Sequence, residues 1–123
     1  MGLQTSGSVL MNLDASGNLT TSGGITSGGA FKVQLDIVNS SPFTVTSAHH
    51  YLAVDSSAAR TIDLPNVSDS DAGRLLTILD AGGQANSNNI TINAAAGEDI
   101  SGNSNYTINT AGGVVTIVCV LGS

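Results

Sequence analysis

The sequence predicts an all-β protein: a small β-sandwich or barrel-like body of short strands with an extended N-terminal arm. Three observations point there. The chain of 123 residues carries 15 Gly amid many Ser, Thr and Asn, which leaves little helix-forming content. Residues 31–39 (FKVQLDIVN) alternate apolar and polar side chains, the period of a half-buried strand. Short apolar runs then recur to the end of the chain with turn residues between them, as in all-β domains.

Residues 1–40 read as an extended arm with short Gly-rich repeats and one strand. Asp14-Ala15-Ser16-Gly17-Asn18 marks a turn, and TTSGGI followed by ITSGGA is a short self-similar unit that admits no helix. A free linker has no need of aliphatic side chains, yet Leu10, Leu13, Leu19, Ile25 and Phe31 recur along it. They need a partner to bury them. In the strand that ends the arm, Phe31, Val33, Leu35 and Ile37 take one face, and Lys32, Gln34 and Asp36 take the other. Pro42 then breaks the chain.

Residues 41–123 read as a compact β-domain. Strands are expected at 43–47 (FTVTS), 50–54 (HYLAV) and 60–64 (RTIDL), the last closed by Pro65. NVSDSDAG is a loop with room for one helical turn capped by Ser68 and limited by Gly73. Residues 75–79 (LLTIL) are apolar on both faces, so they form a central strand. Gly82-Gly83 turns the chain, strands follow at 90–92 and 106–108, and the final strand runs over 114–121 after Gly112-Gly113. NITIN and NYTIN, within 88–109, are two short strands joined by the loop AAAGEDISG. In the final strand Val115, Ile117 and Cys119, or their opposite-face neighbours, go inward. Both of its faces are apolar, and a single sheet would leave one of them wet. A closed symmetric oligomer covers such surface.

Bulk properties remove several function classes. The net charge of −6, with only Lys32, Arg60 and Arg74 basic, repels phosphate backbones and forms no basic patch, so no nucleic-acid partner is expected. The N-terminal MGLQTSGSVL has no charged region followed by an apolar stretch, so no signal peptide is expected. The longest apolar run falls far short of the about 20 residues that span a bilayer, so no membrane partner is expected either. Four aromatics (Phe31, Phe43, Tyr51, Tyr106) leave the core to aliphatic side chains. Cys119 is alone, which excludes an intrachain disulfide, and its apolar run predicts a buried, inert thiol. Sequons at Asn18, Asn39, Asn66, Asn89 and Asn105 reflect composition.

Candidate chemistry is sparse. AAGEDISGN resembles a tandem calcium repeat only loosely, because it occurs once and lacks the leading Gly pair. Glu98 and Asp99 are adjacent and point to opposite sides of extended chain, so the segment reads as an Asx-rich loop. His49 and His50 also face opposite ways on a strand; three copies of His50 meeting on a trimer axis would be one route to a metal, and none is expected. No Gly-x-Ser-x-Gly elbow is present. Asp55, Asp63 and Asp80 flank strands and read as solvated turn acids rather than a glycosidase pair. Neither Gly-Gly pair is followed by the Lys-Ser/Thr of a phosphate loop. The expectation is therefore no enzyme, with no catalytic residue and no cofactor.

Residues 43–119 resemble a β-domain recurrent in tailed-phage fibres and other virion appendages. Five phrases carry the resemblance in order: Tyr51 to Asp55 (YLAVD), Thr61 to Pro65 (TIDLP), Gly73 to Asp80 (GRLLTILD), Asn88 to Ile92 (NNITI) and Gly97 to Gly102 (GEDISG). The segment LDASGNLTTSGGITSGGAF is similar to the repeats that lead into such domains, where three chains wind together. The chain departs from the family in ending at Leu121-Gly122-Ser123, without a Trp-bearing strand, and in having a short arm where fibres carry an adaptor and shaft. The resemblance implies a homotrimeric structural protein on the virion surface, made in the host bacterial cytoplasm and bound to capsid (or tail) structural proteins of the same virion. The leading expectation is a capsid decoration, or cement, protein that stabilises the shell. The second is a receptor-binding tip or segment of a tail or head fibre, with Tyr51 and Tyr106 as the only polar-tipped rings for recognition.

Overall fold

The computed structural model describes residues 2–5, 8–68 and 71–120. The chain is all-β and divides into two compact units, Met1–Lys32 and Val33–Ser123. In the first unit β1 (Gly2–Thr5), β2 (Ser8–Leu13) and β3 (Leu19–Thr21) form an antiparallel three-stranded sheet in chain order. The turn between β2 and β3 is built on Asp14. Its Oδ1 accepts the N–H groups of Ser16 and Asn18, each at 2.9 Å. Gly17 supplies the left-handed backbone, at φ 85°, that the turn requires. The Asn18 bonds, first its backbone N–H, hold the Asp14 carboxyl below its ordinary pKa. Leu13, Leu19, Ile25 and Phe31 are all exposed. The side chain of Leu10 lies outside the described residues.

The second unit contains β4 (Leu35–Val38), β5 (Phe43–Thr44), β6 (Tyr51–Val54), β7 (Arg60–Asp63), β8 (Leu75–Asp80), β9 (Ile90–Asn93), β10 (Asn105–Ile108) and β11 (Val114–Val118). They form two mixed four-stranded sheets. The front sheet has the order β11-β8-β6-β4 and the back sheet β10-β9-β7-β5. Strands β4, β6 and β8 are parallel neighbours, as are β5, β7 and β9. The chain therefore winds as a flattened coil, contributing one strand to each sheet per turn. It then reverses, and β10 and β11 pair antiparallel to β9 and β8. The two Asn-x-Thr-Ile phrases are β9 and β10, with Ile90 opposite Ile108 and Thr91 opposite Thr107. β8 lies between β6 and β11, the central position its two apolar faces predict.

The core lies between the sheets and is almost wholly aliphatic. Leu52 and Ile78 face inward from the front sheet; Ile62, Ile90 and Ile92 face inward from the back, all without exposed surface. Each such burial contributes on the order of 2 kcal/mol. Val115 and Ile117 are the inward residues of β11, packed against the core, while Val114 and Val118 point out. Cys119 is only half-buried, not the fully buried thiol expected, because it follows the end of β11 where the sheets part.

Two further differences concern β4. It was expected with the arm, yet it pairs with β6 along Leu35–Val38 and belongs to the second unit. Its apolar face also points the other way. Phe31, Leu35 and Ile37 are 73%, 55% and 71% exposed, whereas Asp36 and Val38 face inward. Val38 fixes this choice: it is fully buried and registers with Val54, so its even-numbered neighbours must follow it inward. The single helical turn expected after Ser68 falls largely on residues 69–70, outside the described residues.

One end of the coil is closed by a buried carboxylate. Val38 registers with Val54 and Val54 with Asp80, so an acid occupies the third rung of an aliphatic ladder. Asp80 is 3% exposed, which corrects the reading of it as a solvated turn acid. Its Oδ1 accepts the Ser56 hydroxyl at 2.5 Å and the Gly83 N–H at 2.9 Å. Its Oδ2 accepts the N–H groups of Ala85 and Gly112, each at 3.0 Å. Burial alone would push the carboxyl up; these four donors outweigh it and hold the pKa at about 2. Both Gly-Gly turns serve this clamp. A Cβ on Gly82 would stand 2.6 Å from the Ser56 backbone nitrogen, and one on Gly113 would stand 2.6 Å from Ile108.

Candidate interaction surface

The side chains that point out of the front sheet form an uncharged, mainly apolar face. Alternation along each strand selects them: Leu35 and Ile37 on β4, Tyr51 and Ala53 on β6, Leu75, Thr77 and Leu79 on β8, and Val114, Thr116 and Val118 on β11. Register aligns them in rows. Ile37, Ala53, Leu79 and Val114 form one; Leu35, Tyr51, Thr77 and Thr116 form the next. Thr77 and Thr116 share a hydroxyl hydrogen bond at 3.0 Å. Ile37, Leu35, Val114, Val118 and Leu75 are each close to half exposed or more. Contiguous apolar surface of this kind marks an interaction site in a soluble protein.

The back sheet presents the opposite finish. Its outward residues are Thr44, Thr61, Asp63, Thr91, Asn93, Asn105 and Thr107. Thr61, Thr91 and Thr107 make one row across the sheet, and Asn93 Nδ2 donates to Asp63 Oδ1 at 3.0 Å in the next. This polar face is fit for water.

A groove opens between the sheets at the end opposite Asp80. It has a volume of about 130 Å³, an apolar floor that includes Val45, Leu64 and Leu76, and a rim that includes Glu98, Asp99 and Val120. Leu75 and Val118 line it as well, so it is continuous with the apolar front face. Glu98 is half-buried, and its Oε1 accepts the Val67 N–H at 3.5 Å. Asp99 Oδ1 accepts the Gly102 N–H at 2.7 Å, the Asx closure expected of the loop. Arg74, also in the wall, is engaged by Asp71 at 3.1 Å and by the Thr46 carbonyl at 2.6 Å.

The remaining singled-out acids do not come together, whereas His49 and His50 line one shallow depression. Asp55 accepts the Ser57 N–H at 3.0 Å, the main cause of its lowered pKa, and pairs with Arg60 at 3.7 Å. Asp63 is taken by Asn93, and Asp80 by the clamp. His49 Nδ1 accepts the Thr46 N–H at 2.8 Å, and its ring leans on Phe43 at 5.0 Å. His50 lines a shallow depression with Gln34, Ser47 and Arg74. Tyr51 lies in the apolar face, whereas Tyr106, 44% exposed, is on the back sheet. Among the described residues no three His, Cys, Asp or Glu side chains cluster as a metal site. The apolar face has one sequence signal, the apolar character of both faces of LLTIL and of the last strand. β4 conceals it, because there alternation gives two faces without saying which is inside. No protein-family model matches the sequence, and no curated protein matches it.

Proposed function

We propose that the protein is a non-catalytic, homotrimeric structural component of the exterior of a tailed-phage virion, a capsid decoration protein that assembles through its apolar front face. The uncharged outer face of the front sheet carries this reading, since the chain otherwise has a net charge of −6. The orientation of β4 supports it. An exposed Ile37 and an inward Asp36, whose buried Oδ2 has no hydrogen-bond partner among the described residues, are a poor arrangement for a lone chain. Covering the front face would remove the first of these costs.

Sheet dimensions favour three copies. Four strands at about 4.8 Å spacing make a face roughly 15–19 Å wide. Three such faces around an axis parallel to the strands leave each about 5 Å from the centre, half the roughly 10 Å separation of packed sheets. One apolar core then fills the prism. The edge strand β4 of one copy meets the edge strand β11 of the next. The virion assignment rests on the five ordered phrases, which fall on β6, β7, β8, β9 and the β9–β10 loop. The back face, rich in Thr and Asn, would be the solvent side.

Light scattering of the native protein tests the assembly. A mass three times 12.2 kDa is expected, and a monomer at working concentration overturns the reading. Quantitative mass spectrometry of purified particles tests the location. Copy numbers on the scale of the shell subunit are expected; a few copies per particle would make it a fibre tip or segment instead.

A further inference from the structure

We propose that the two edges of the front sheet are complementary, so that β4 of one copy pairs antiparallel with β11 of the next through main-chain hydrogen bonds. This inference rests on the trimeric reading above and concerns the second unit alone. The hydrogen bonds inside each copy decide which main-chain groups remain for such a seam. On β4 the carbonyls of Gln34 and Val38 accept the N–H groups of Tyr51, at 3.2 Å, and Asp55, at 2.8 Å. Even-numbered residues of β4 therefore turn their main chain toward β6, and Leu35 and Ile37 turn theirs to the open edge. On β11 the Gly113 carbonyl accepts the Asp80 N–H at 2.8 Å, and the Cys119 N–H donates to the Arg74 carbonyl at 2.9 Å. Odd-numbered residues thus face β8, and Val114, Thr116 and Val118 face the open edge.

Direction, phase and chemistry of the two edges agree. β4 runs parallel to β8, and β11 runs antiparallel to it. Around a threefold axis along the strands, β4 of one copy is therefore antiparallel to β11 of the next. Residues opposite one another in an antiparallel pair send their side chains to the same face. Here the free residues of both strands carry their side chains on the apolar front face, so a joined sheet keeps that face continuous across the seam. Neither edge has the Pro, Lys or bulge that keeps a solvent-facing edge from pairing. Asp36, the one charge on either strand, points inward. On the back sheet, by contrast, the edge strand β5 is only two residues long and directly follows Pro42. Three seams leave the front sheets without an edge. A twofold β11–β11 pair also obeys the phase rule, but it leaves β4 open and the joined front faces wet.

Proline at the open edge tests the seam in the full chain. Thr116→Pro removes an N–H offered to the neighbour and none that bonds to β8, whereas Thr116→Val keeps it; both lose the Thr77–Thr116 bond. Light scattering should give 12.2 kDa for Thr116→Pro and three times that mass for Thr116→Val, with alike far-UV circular dichroism. If Thr116→Pro loses its β spectrum, a cysteine series decides. On a Cys119→Ala background, Ile37→Cys is combined in turn with Val114→Cys, Thr116→Cys and Val118→Cys. Within a chain the two strands lie three spacings apart, roughly 14 Å, beyond the about 7 Å that a disulfide spans, so any product joins two chains. Dilute oxidation should give a ladder ending at a covalent trimer for the pair in register, and Ile37→Cys with Thr91→Cys, on the back face, should give none. A trimer whose mass survives Thr116→Pro overturns the seam and leaves the assembly standing. So does the absence of a covalent trimer from all three cysteine pairs. A covalent dimer from Thr116→Cys alone overturns the seam in favour of a twofold β11 pair. A monomeric native protein overturns both the seam and the trimeric reading.

Discussion

The two outer faces of the second unit are built on the same plan and finished in opposite ways. Each shows alternate residues of four short strands, and each draws on β-branched side chains. On the back sheet these are Thr, supplemented by Asn and one Asp that bond to one another. On the front sheet they are Val and Ile with two Thr, accompanied by Leu, Ala and Tyr, and none of these is charged. Thr and Val have similar strand propensity, so the fold does not require the difference. What differs is the medium each face is made to meet. The contrast separates residues chosen for the fold, which point inward on both sheets, from residues chosen for what lies outside it.

The largest effect should come from breaking the front face. Ile37→Glu with Val114→Glu places like charges in one row on both edge strands, where a threefold seam brings them together. The expected result is a fall in mass from the trimer to 12.2 kDa, with an unchanged far-UV circular dichroism spectrum. Thr61→Glu with Thr91→Glu makes the equivalent change on the back face and should leave the mass at three chains. If both pairs dissociate the assembly, or neither does, the two faces are not functionally distinct.

The next effect concerns the clamp that both sheets share. In Asp80→Asn the amide nitrogen must confront two donors, whichever way it is turned: Ser56 and Gly83, or Ala85 and Gly112. We expect a loss of about 3 kcal/mol in urea unfolding, measured on the dissociated Ile37→Glu, Val114→Glu background so that assembly does not contribute. The acid dependence has a definite sign. The folded-state pKa of Asp80 is about 2 against an ordinary 3.8. Its contribution is therefore present in full above pH ~4 and lost as pH falls through 2, a difference of roughly 2 kcal/mol. Asp55 and Asp71 are depressed too, each first by a backbone N–H, from Ser57 and Ser68. They are common to parent and variant, so the parent minus Asp80→Asn difference should isolate the clamp. An acid slope that survives Asp80→Asn unchanged would assign it elsewhere.

The eight strands of the second unit were legible because alternation and turn residues are local signals. YLAV, RTID, LLTILD, ITIN and NYTI became strands with one side inward, and the strand expected over 43–47 shrank to Phe43–Thr44. Their partners were not legible. Parallel pairing of β4, β6 and β8 depends on each intervening strand crossing to the other sheet, and nothing in FTVT or RTID distinguishes a return in the same sheet from a crossing. Nor was the sense of β4 legible. FKVQLDIVN places four large apolar residues on one side, which invites burial of that side. Val38 alone, through its register with Val54, sends the other side inward. Asp80 was misjudged for a related reason: an acid at a strand end beside Gly-Gly looks like a turn residue, and two of its four donors, Ser56 and Gly112, come from segments distant in sequence. The candidate surface was visible only as surplus hydrophobicity, in LLTIL and a last strand that are each apolar on both faces.

The smallest predicted effects compare one hydrogen bond on each face. Asn93→Ala removes the Asn93–Asp63 bond on the back, at a cost of about 1 kcal/mol. That cost should be equal in the trimer and in the dissociated background, since water meets this face in both. Thr77→Val removes the Thr77–Thr116 bond on the front and leaves the Thr116 hydroxyl alone. In the dissociated chain water replaces the partner, and the change should stay within about 0.5 kcal/mol. In the trimer the same hydroxyl is enclosed without a partner, and the cost should rise to about 1–3 kcal/mol. A double-mutant comparison of Thr77→Val with and without the dissociating pair measures the difference. Equal costs in both states would mean that Thr116 still meets water in the assembly, and that the front face is not the surface buried there.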